Sequence, residues 1–315
     1  MSLLRVVVGL AAGVAGLIPA VQLGVDSSGR EVQMPLVGAG TWQYNDTVAY
    51  DSVCKSFAAG YTFVDTANGY GNEQGVGQAI RDCWKGKRED LFVMTKIPGG
   101  LNASEVAAAH ADNMRWLNLT YVDHLMTHFP ADWDVTPERS SKAARQEEWK
   151  ALEAIYATGE ARSIGISHYC PNHIDDVLEI ATVKPSVNQV EYHVGSGDVD
   201  GVIEKCKQEG IHFMSFSSLC GPCDVTPEDN LINGQLVSAI AAKYNVTGSQ
   251  VSLRFVVQQA LDHPDFFAGV IPKSTNPDHI ASNADLFGFE LSADDMATLK
   301  AATLPAGEAG DCDVP

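Results

Sequence analysis

Four side chains in the first half of the sequence can together manage a proton: Asp65, Tyr70, Lys96 and His128. A phenol with an ordinary pKa near ~10 is a poor acid at neutral pH. A neighbouring ammonium stabilises the phenolate and lowers that pKa, and a carboxylate keeps the ammonium charged and in position. An imidazole beside them can donate a hydrogen bond to a substrate oxygen and orient it. The set suits addition of hydride to a carbonyl, where oxygen must gain a proton as carbon gains the hydride. Taken singly, each residue has an ordinary use: a turn cap for Asp65, a snorkelling cation for Lys96, a satisfied core imidazole for His128, packing for Tyr70. Their joint placement at successive strand ends is what favours chemistry.

The elements that must position them are short β-rich runs alternating with longer amphipathic ones. Tyr61–Asp65, Leu91–Thr95 and Tyr121–Thr127 read as strands, so that Asp65, Lys96 and His128 stand at or just past their ends. Leu36–Gly40, Ala161–Ser167, Ser186–Glu191, Ile211–Ser217 and Phe267–Ile271 bring the series to about eight. Helical patterns at Asn72–Cys83, Ala103–Leu117, Glu147–Thr158, Ile174–Ala181, Gly201–Gln208 and Leu236–Tyr244 lie between them. Such alternation implies parallel strands with right-handed crossovers, and about eight units imply a closed (β/α)8 barrel. Val21–Met34, with Asp26-Ser27-Ser28-Gly29 at its centre, reads as a hairpin that plugs the barrel's bottom. Active sites of such barrels lie at the C-terminal strand ends, where the four residues fall. The glycine-rich Gly71–Gly77 stretch matches neither dinucleotide nor P-loop spacing.

Composition bounds the partners. The 315 residues carry a formal charge of −19, which argues against nucleic acid or an anionic membrane surface as a partner. Seven cysteines, odd in number and scattered, do not read as a disulfide framework. Only Cys220 and Cys223 are close; Cys220-Gly221-Pro222-Cys223 has a dithiol spacing but follows a late barrel strand, which disfavours a thioredoxin-like activity. No metal-ligand spacing occurs. Residues 1–20 combine Arg5, an uncharged apolar run from Val6 to Leu17, and a small residue at Ala20, the parts of a signal peptide. The run is shorter than a spanning helix needs, so no stable membrane span is expected in the mature form. The expected organisation is a targeting segment over 1–20 and one barrel domain over 21–315. It points to the secretory pathway, with the cytoplasm as runner-up. Sequons at Asn45, Asn102, Asn118 and Asn245 permit glycosylation there.

Several runs of the sequence resemble the aldo-keto reductases. They are Gly38-Ala39-Gly40-Thr41-Trp42, the Asp65–Glu73 segment, Lys96, His128-Phe129-Pro130, Gly165-Ile166-Ser167-His168, Lys184–Glu191 and Ile271-Pro272-Lys273-Ser274. They occur in the family's order from Val21 to about Leu304. The resemblance implies a barrel reductase, acting as a monomer, that binds NADPH without a Rossmann fold and reduces small aldehydes or ketones. It makes Tyr70 the general acid, helped by Lys96 and Asp65, with His128 orienting the carbonyl. It assigns Asp65, Ser167, His168 and Gln189 to the ribose or nicotinamide amide, and Phe216 to the ring face, with Ser217 and Leu219 beside it. It assigns Lys273, Ser274, His279 and Asn283 to the adenosine end, where a cation at Lys273 favours NADPH.

Four positions depart from the family pattern. Phe216 stands where Tyr is usual and keeps the ring face, and His168 stands where Asn is usual, which changes one amide contact. His279 stands where Arg is usual and Ser282 where Glu is usual; loss of the Arg weakens a 2′-phosphate contact, so NADPH preference should be softened and NADH should also serve. Trp42, His128 and Phe129, with Trp133 nearby, would edge an open, aromatic substrate pocket. The rival reading is a non-catalytic, cofactor-binding regulator on the same fold, similar to potassium-channel β subunits. The intact four-residue set disfavours it.

Overall fold

The computed structural model describes residues 18–219, 226–303 and Cys312. Cys220, Cys223 and residues 1–17 lie outside them. An antiparallel hairpin, β1 (Ala20–Val25) and β2 (Glu31–Pro35), comes first. Its alternation puts Val21, Leu23, Val32 and Met34 inward and Gln22 and Gln33 outward, as a half-buried ribbon requires. Arg162 ties it down, donating to the Glu31 carbonyl and to Asp123 Oδ1 at 3.0 Å. Both Arg162 and Asp123 precede the strands that follow them, so the hairpin sits at the barrel's N-terminal end.

Eight parallel strands follow in sequence order around one sheet: β3 (Ala39–Gly40), β4 (Phe63–Asp65), β5 (Phe92–Ile97), β6 (His124–Thr127), β7 (Ile164–Ser167), β8 (Val187–Glu191), β9 (His212–Phe216) and β10 (Phe267–Val270). The last returns to the first. Val270 N–H donates to the Leu36 carbonyl at 2.9 Å, and Gly38 N–H donates to the Val270 carbonyl at 2.9 Å. A Cβ at Gly269 would collide with the Leu36 carbonyl, which is why glycine stands at this closure. The (β/α)8 reading and the hairpin therefore hold.

The helices are α1 (Asp46–Ala58), α2 (Glu73–Cys83), α3 (Ala103–Leu117), α4 (Lys142–Thr158), α5 (Pro171–Leu178), α6 (Val202–Glu209), α7 (Gln235–Tyr244), α8 (Gly248–Asp262), α9 (Pro277–Ala284) and α10 (Ala293–Lys300). Sequence periodicity missed α1, α8 and α9. Helix α8 is buried over most of its length, so it shows no polar face for periodicity to detect. All four sequon asparagines are helix caps. Asn45 and Asn102 accept backbone N–H bonds at N-termini, while Asn118 and Asn245 adopt left-handed conformations at C-termini. Cap chemistry thus accounts for an asparagine at each of these positions.

The expectation about cysteines is corrected. Cys54 and Cys83 form a disulfide between α1 and α2, and Cys170 is bonded to Cys312. Separations of 29 and 142 residues hid both pairs. The barrel brings their Cα atoms to 5.3 and 5.4 Å, the ordinary disulfide spacing. Cys206 is a buried free thiol. Among the described residues no helix is long and apolar enough to cross a membrane.

Candidate active site

Asp65, Tyr70, Lys96 and His128 come together at the C-terminal end of the barrel. Asp65 ends β4, and its backbone carbonyl accepts from the Thr41 hydroxyl at 2.9 Å. Lys96 lies inside β5, one residue earlier relative to the strand end than its sequence run suggests, and is wholly buried. Its ammonium donates to Asp65 Oδ1 at 2.7 Å and Oδ2 at 2.8 Å, to the Thr66 carbonyl at 3.1 Å, and to the Tyr70 oxygen at 3.2 Å. An ammonium has three N–H groups, and three groups receive them here. The Tyr70 oxygen accepts from Lys96, so its own O–H is left to donate outward.

Tyr70 rides a short 3-10 turn, Asn68–Tyr70, closed by Gly71 in a left-handed conformation at φ 65°. The Asn68 amide fixes this turn by donating to Asn113 Oδ1 at 2.8 Å. Asn72, fully buried, donates to the Thr41 and Tyr44 carbonyls and so anchors the loop to the strand before it. His128, the first residue past β6, packs edge-on to Tyr70 with ring centroids 5.4 Å apart.

The electrostatics refine the expectation. Burial pulls the Lys96 ammonium down, but the Asp65 carboxylate and the Tyr70 oxygen outweigh it and push its pKa above the ordinary range. Tyr70 does not end up more acidic than a free phenol. Burial raises its pKa, Lys96 lowers it and Asp65 raises it again, and the net direction is upward. The lowering expected from Lys96 alone is therefore corrected: desolvation wins in the closed pocket. Burial, the Lys96 charge and the neighbouring His168 hold His128 well below the usual imidazole range, so it is neutral at pH 7 and carries one N–H.

The remaining predicted residues line the same rim. Ser167, at the end of β7, is the register partner of Gln189 in the middle of β8. The Ser167 hydroxyl donates to the Gln189 carbonyl at 2.8 Å. The Gln189 amide donates to Asp65 Oδ2 at 3.0 Å, a contact that sequence reasoning missed and that ties the outer rim to the carboxylate. His168 adopts a left-handed conformation at φ 61° and lies between Phe129, at 4.5 Å, and Phe216, at 4.9 Å. Phe129 also stacks on His128 at 4.6 Å and meets Trp133 edge-on at 5.7 Å. Trp133, His128, Phe129, His168 and Phe216 thus form a shelf of rings, with Trp133 itself 86 % exposed at its outer end.

Ser217, also at positive φ, and Leu219 follow Phe216 directly. Trp42 stands apart from the ring shelf. Its face covers the Lys273 ammonium, whose N–H groups bond the Trp42 carbonyl at 3.1 Å and Gln43 Oε1 at 2.7 Å. Ser274 lies beside it, where its Oγ accepts from the Asn276 N–H. His279 is exposed on α9 and Asn283 is buried on the same helix. The Cys170–Cys312 bond fastens Cys312 two residues beyond His168, at the start of α5.

Comparisons with known proteins place the chain in a family. The family model described as "Aldo/keto reductase family" matches residues 36–303. Glyoxal reductase of Bacillus subtilis (strain 168) is 33% identical over 272 residues, covering 86% of this chain and 89% of that protein. The NAD(P)H-dependent D-xylose reductase I,II of Candida tropicalis is 31% identical over 307 residues, covering 89% and 90%. The crystal structure of MGS-M4, an aldo-keto reductase from a Medee basin deep-sea metagenome library, superposes with a TM-score of 0.77 at 28% identity, covering 88% of this chain and 95% of that one. The barrel with its hairpin and strand-end residues belongs to a member of the aldo/keto reductase family.

Proposed function

We propose that the protein is an NADPH-dependent reductase of small aldehydes or ketones, with Tyr70 as proton donor. The single observation that carries this reading is the Lys96 hydrogen-bond set. By donating to Asp65, Thr66 and Tyr70 at once, Lys96 makes the Tyr70 oxygen an acceptor and leaves the Tyr70 O–H available to donate to another group. A residue used only for packing would not need a buried ammonium against its oxygen.

The residues present suit a nicotinamide dinucleotide. Ser167 and Gln189 offer a hydroxyl and an amide side by side, Phe216 offers a half-buried ring face, and Lys273 offers a cation farther out. Asn283 and Ser274 would take the adenosine end, with His279 nearby and Ser217 and Leu219 flanking the middle. Reduced nicotinamide, when bound, supplies the hydride. The chain's own part is proton delivery and orientation. Neutral His128 donates its N–H to the carbonyl oxygen and holds it against Tyr70. Tyr70 passes its proton to that oxygen as negative charge develops there. Lys96 stabilises the resulting phenolate, and Asp65 keeps Lys96 charged. Phe129 and Trp133 would face the body of the substrate, which suits an apolar or ring-bearing carbonyl, whereas the Trp42 ring is taken up by Lys273.

Mixing the protein with NADPH and a panel of reactive aldehydes tests the reading. Loss of reduced-nicotinamide absorbance with matching alcohol formation is expected. Tight cofactor binding without turnover across the panel would instead favour the regulator reading. Because His279 and Ser282 replace the family's charged pair, catalytic efficiency with NADH should be measurable beside NADPH. An overwhelming NADPH preference would overturn that part.

A further inference from the structure

Glu73 opens α2, and its carboxylate lies buried behind β5, on the side of the strand opposite the Lys96 side chain. Its Oε1 accepts from the Thr95 hydroxyl at 2.5 Å, while Oε2 is buried with no hydrogen-bond partner in the protein. From Thr95 a chain of contacts leads back to the catalytic turn. The Asn113 amide approaches Thr95 Oγ at a long 3.5 Å and donates to the Lys96 carbonyl at 3.2 Å. Asn113 Oδ1 accepts from Asn68, the first residue of the turn that carries Tyr70. Four side chains from α2, β5, α3 and the turn thus form one buried polar strand beneath the proton donor. A bare oxygen at its far end is a costly feature, and a protein that needed only packing could fill that space with an apolar side chain.

We propose that Glu73 is a positioning residue for the reduction, setting the acidity and seat of Tyr70 through Lys96 and the Thr95–Asn113–Asn68 chain. This inference rests on the reading of Tyr70 as proton donor. The charges that act on Glu73 are Lys96, across β5 from it, and Asp112 from α3, with Asp65 and Tyr70 reached through Lys96. From α1, Asp46 accepts the Gly75 N–H at 2.7 Å in the same first turn of α2. Burial raises the Glu73 pKa to about 7, with Thr95 and Lys96 lowering it and Asp112 raising it. Its charge therefore changes within the working range. Below that point the neutral carboxyl leaves the Lys96 charge to act on Tyr70. Above it, a new negative charge behind Lys96 makes the phenolate less favourable, and Tyr70 becomes a weaker donor.

The test compares wild type with Glu73→Gln, which keeps the shape of the neutral acid. Reductive kcat is followed from pH 5.5 to 8.5 at saturating NADPH and aldehyde. Wild type should lose activity by roughly threefold to tenfold as pH rises through about 7, a part of the ~10²–10⁴ that a positioned general acid supplies. Glu73→Gln should lack that inflection and hold the low-pH rate, with KM little changed. The same inflection in both proteins, or an effect on KM alone, overturns the proposal. Asn113→Ala, which cuts the chain without touching Glu73, should lower kcat while keeping the inflection; an unchanged kcat counts against the chain. A second readout does not depend on turnover: infrared titration should show a protonated-carboxyl stretch, lost near neutral pH, that Glu73→Gln lacks. If that band is absent in wild type, the proposal falls even where the enzyme is active. An inert wild type removes the reductase reading and this inference with it, whereas an active one failing the pH comparison overturns only the inference.

Discussion

The most informative residue is Lys96, because its ammonium meets Asp65, Thr66 and the Tyr70 oxygen at once. Replacing it by methionine keeps the length and removes the charge. The Asp65 carboxylate would then be buried against Gln189 alone, and Tyr70 would lose the contact that opposes its desolvation. Lys96→Met is therefore expected to cut kcat by about 10²-fold or more in steady-state assays, a share of the ~10²–10⁴ typical of general acid catalysis. An effect under threefold would mean that Lys96 is structural. The four strand-end residues were legible in the sequence because residue type and strand boundary both pointed to them. The depth of their burial was not. A lysine beside a phenol implies outright acidification, yet burial penalises the phenolate more than the ammonium favours it. Sequence shows which groups are neighbours but not how much water they lose. Asn113 carried a signal that went unread: a polar residue among Val106, His110 and Leu117 on the buried face of α3.

At the scale of elements, the alternation of strands and helices gave the barrel, while helix ends and covalent links were harder to see. Helix α1 begins at an Asn cap and has no strong apolar stripe, so it escaped periodicity even though Ala49 and Val53 are wholly buried. Its partnership with α2 is sealed by Cys54–Cys83, a bond invisible until the fold sets the two helices side by side. Replacing both cysteines by serine should lower stability by about 2–4 kcal/mol, the usual range for a disulfide, as read by denaturant unfolding. A wild type whose midpoint ignores reducing agent would contradict the bond. The cap at Asn102 is a second element-scale test. It receives the Ser104 and Glu105 N–H groups while Glu105 returns a bond to its own N–H. Asn102→Ala should cost about 1 kcal/mol, measured on unglycosylated protein so that loss of the sequon has no bearing.

For the molecule as a whole, the −19 charge is carried in the main outside a barrel interior that holds Lys96, and the deepest titratable groups shape its response to pH. His124, inside β6, is held near 3 by burial and the Lys96 charge, below its ordinary 6.5. A folded pKa so depressed contributes stability present above pH 6.5 and lost as pH falls toward 3. Glu148 on α4 is pushed up to about 8 from 4.5 by burial, against bonds from Thr127 and the Gly100 N–H. The stability linked to that raised value is present below pH 4.5 and lost as pH rises through 8. The two limbs offset each other between pH 4.5 and 6.5 and put the highest Tm in that mildly acidic range. Glu148→Gln should flatten the alkaline limb, by ~2–4 °C for each kcal/mol relieved. A wild-type Tm that climbs steadily from pH 6 to 9 in scanning calorimetry would refute this account of Glu148.

The central claim is that Tyr70 delivers the proton while other residues hold the cofactor, and Tyr70→Phe separates the two most directly. NADPH affinity and single-turnover reduction of an aldehyde would be measured on the same preparations. The expected result is an unchanged dissociation constant with turnover reduced by ~10²–10⁴, the scale of a lost general acid. Equal turnover in Tyr70→Phe and wild type would contradict it.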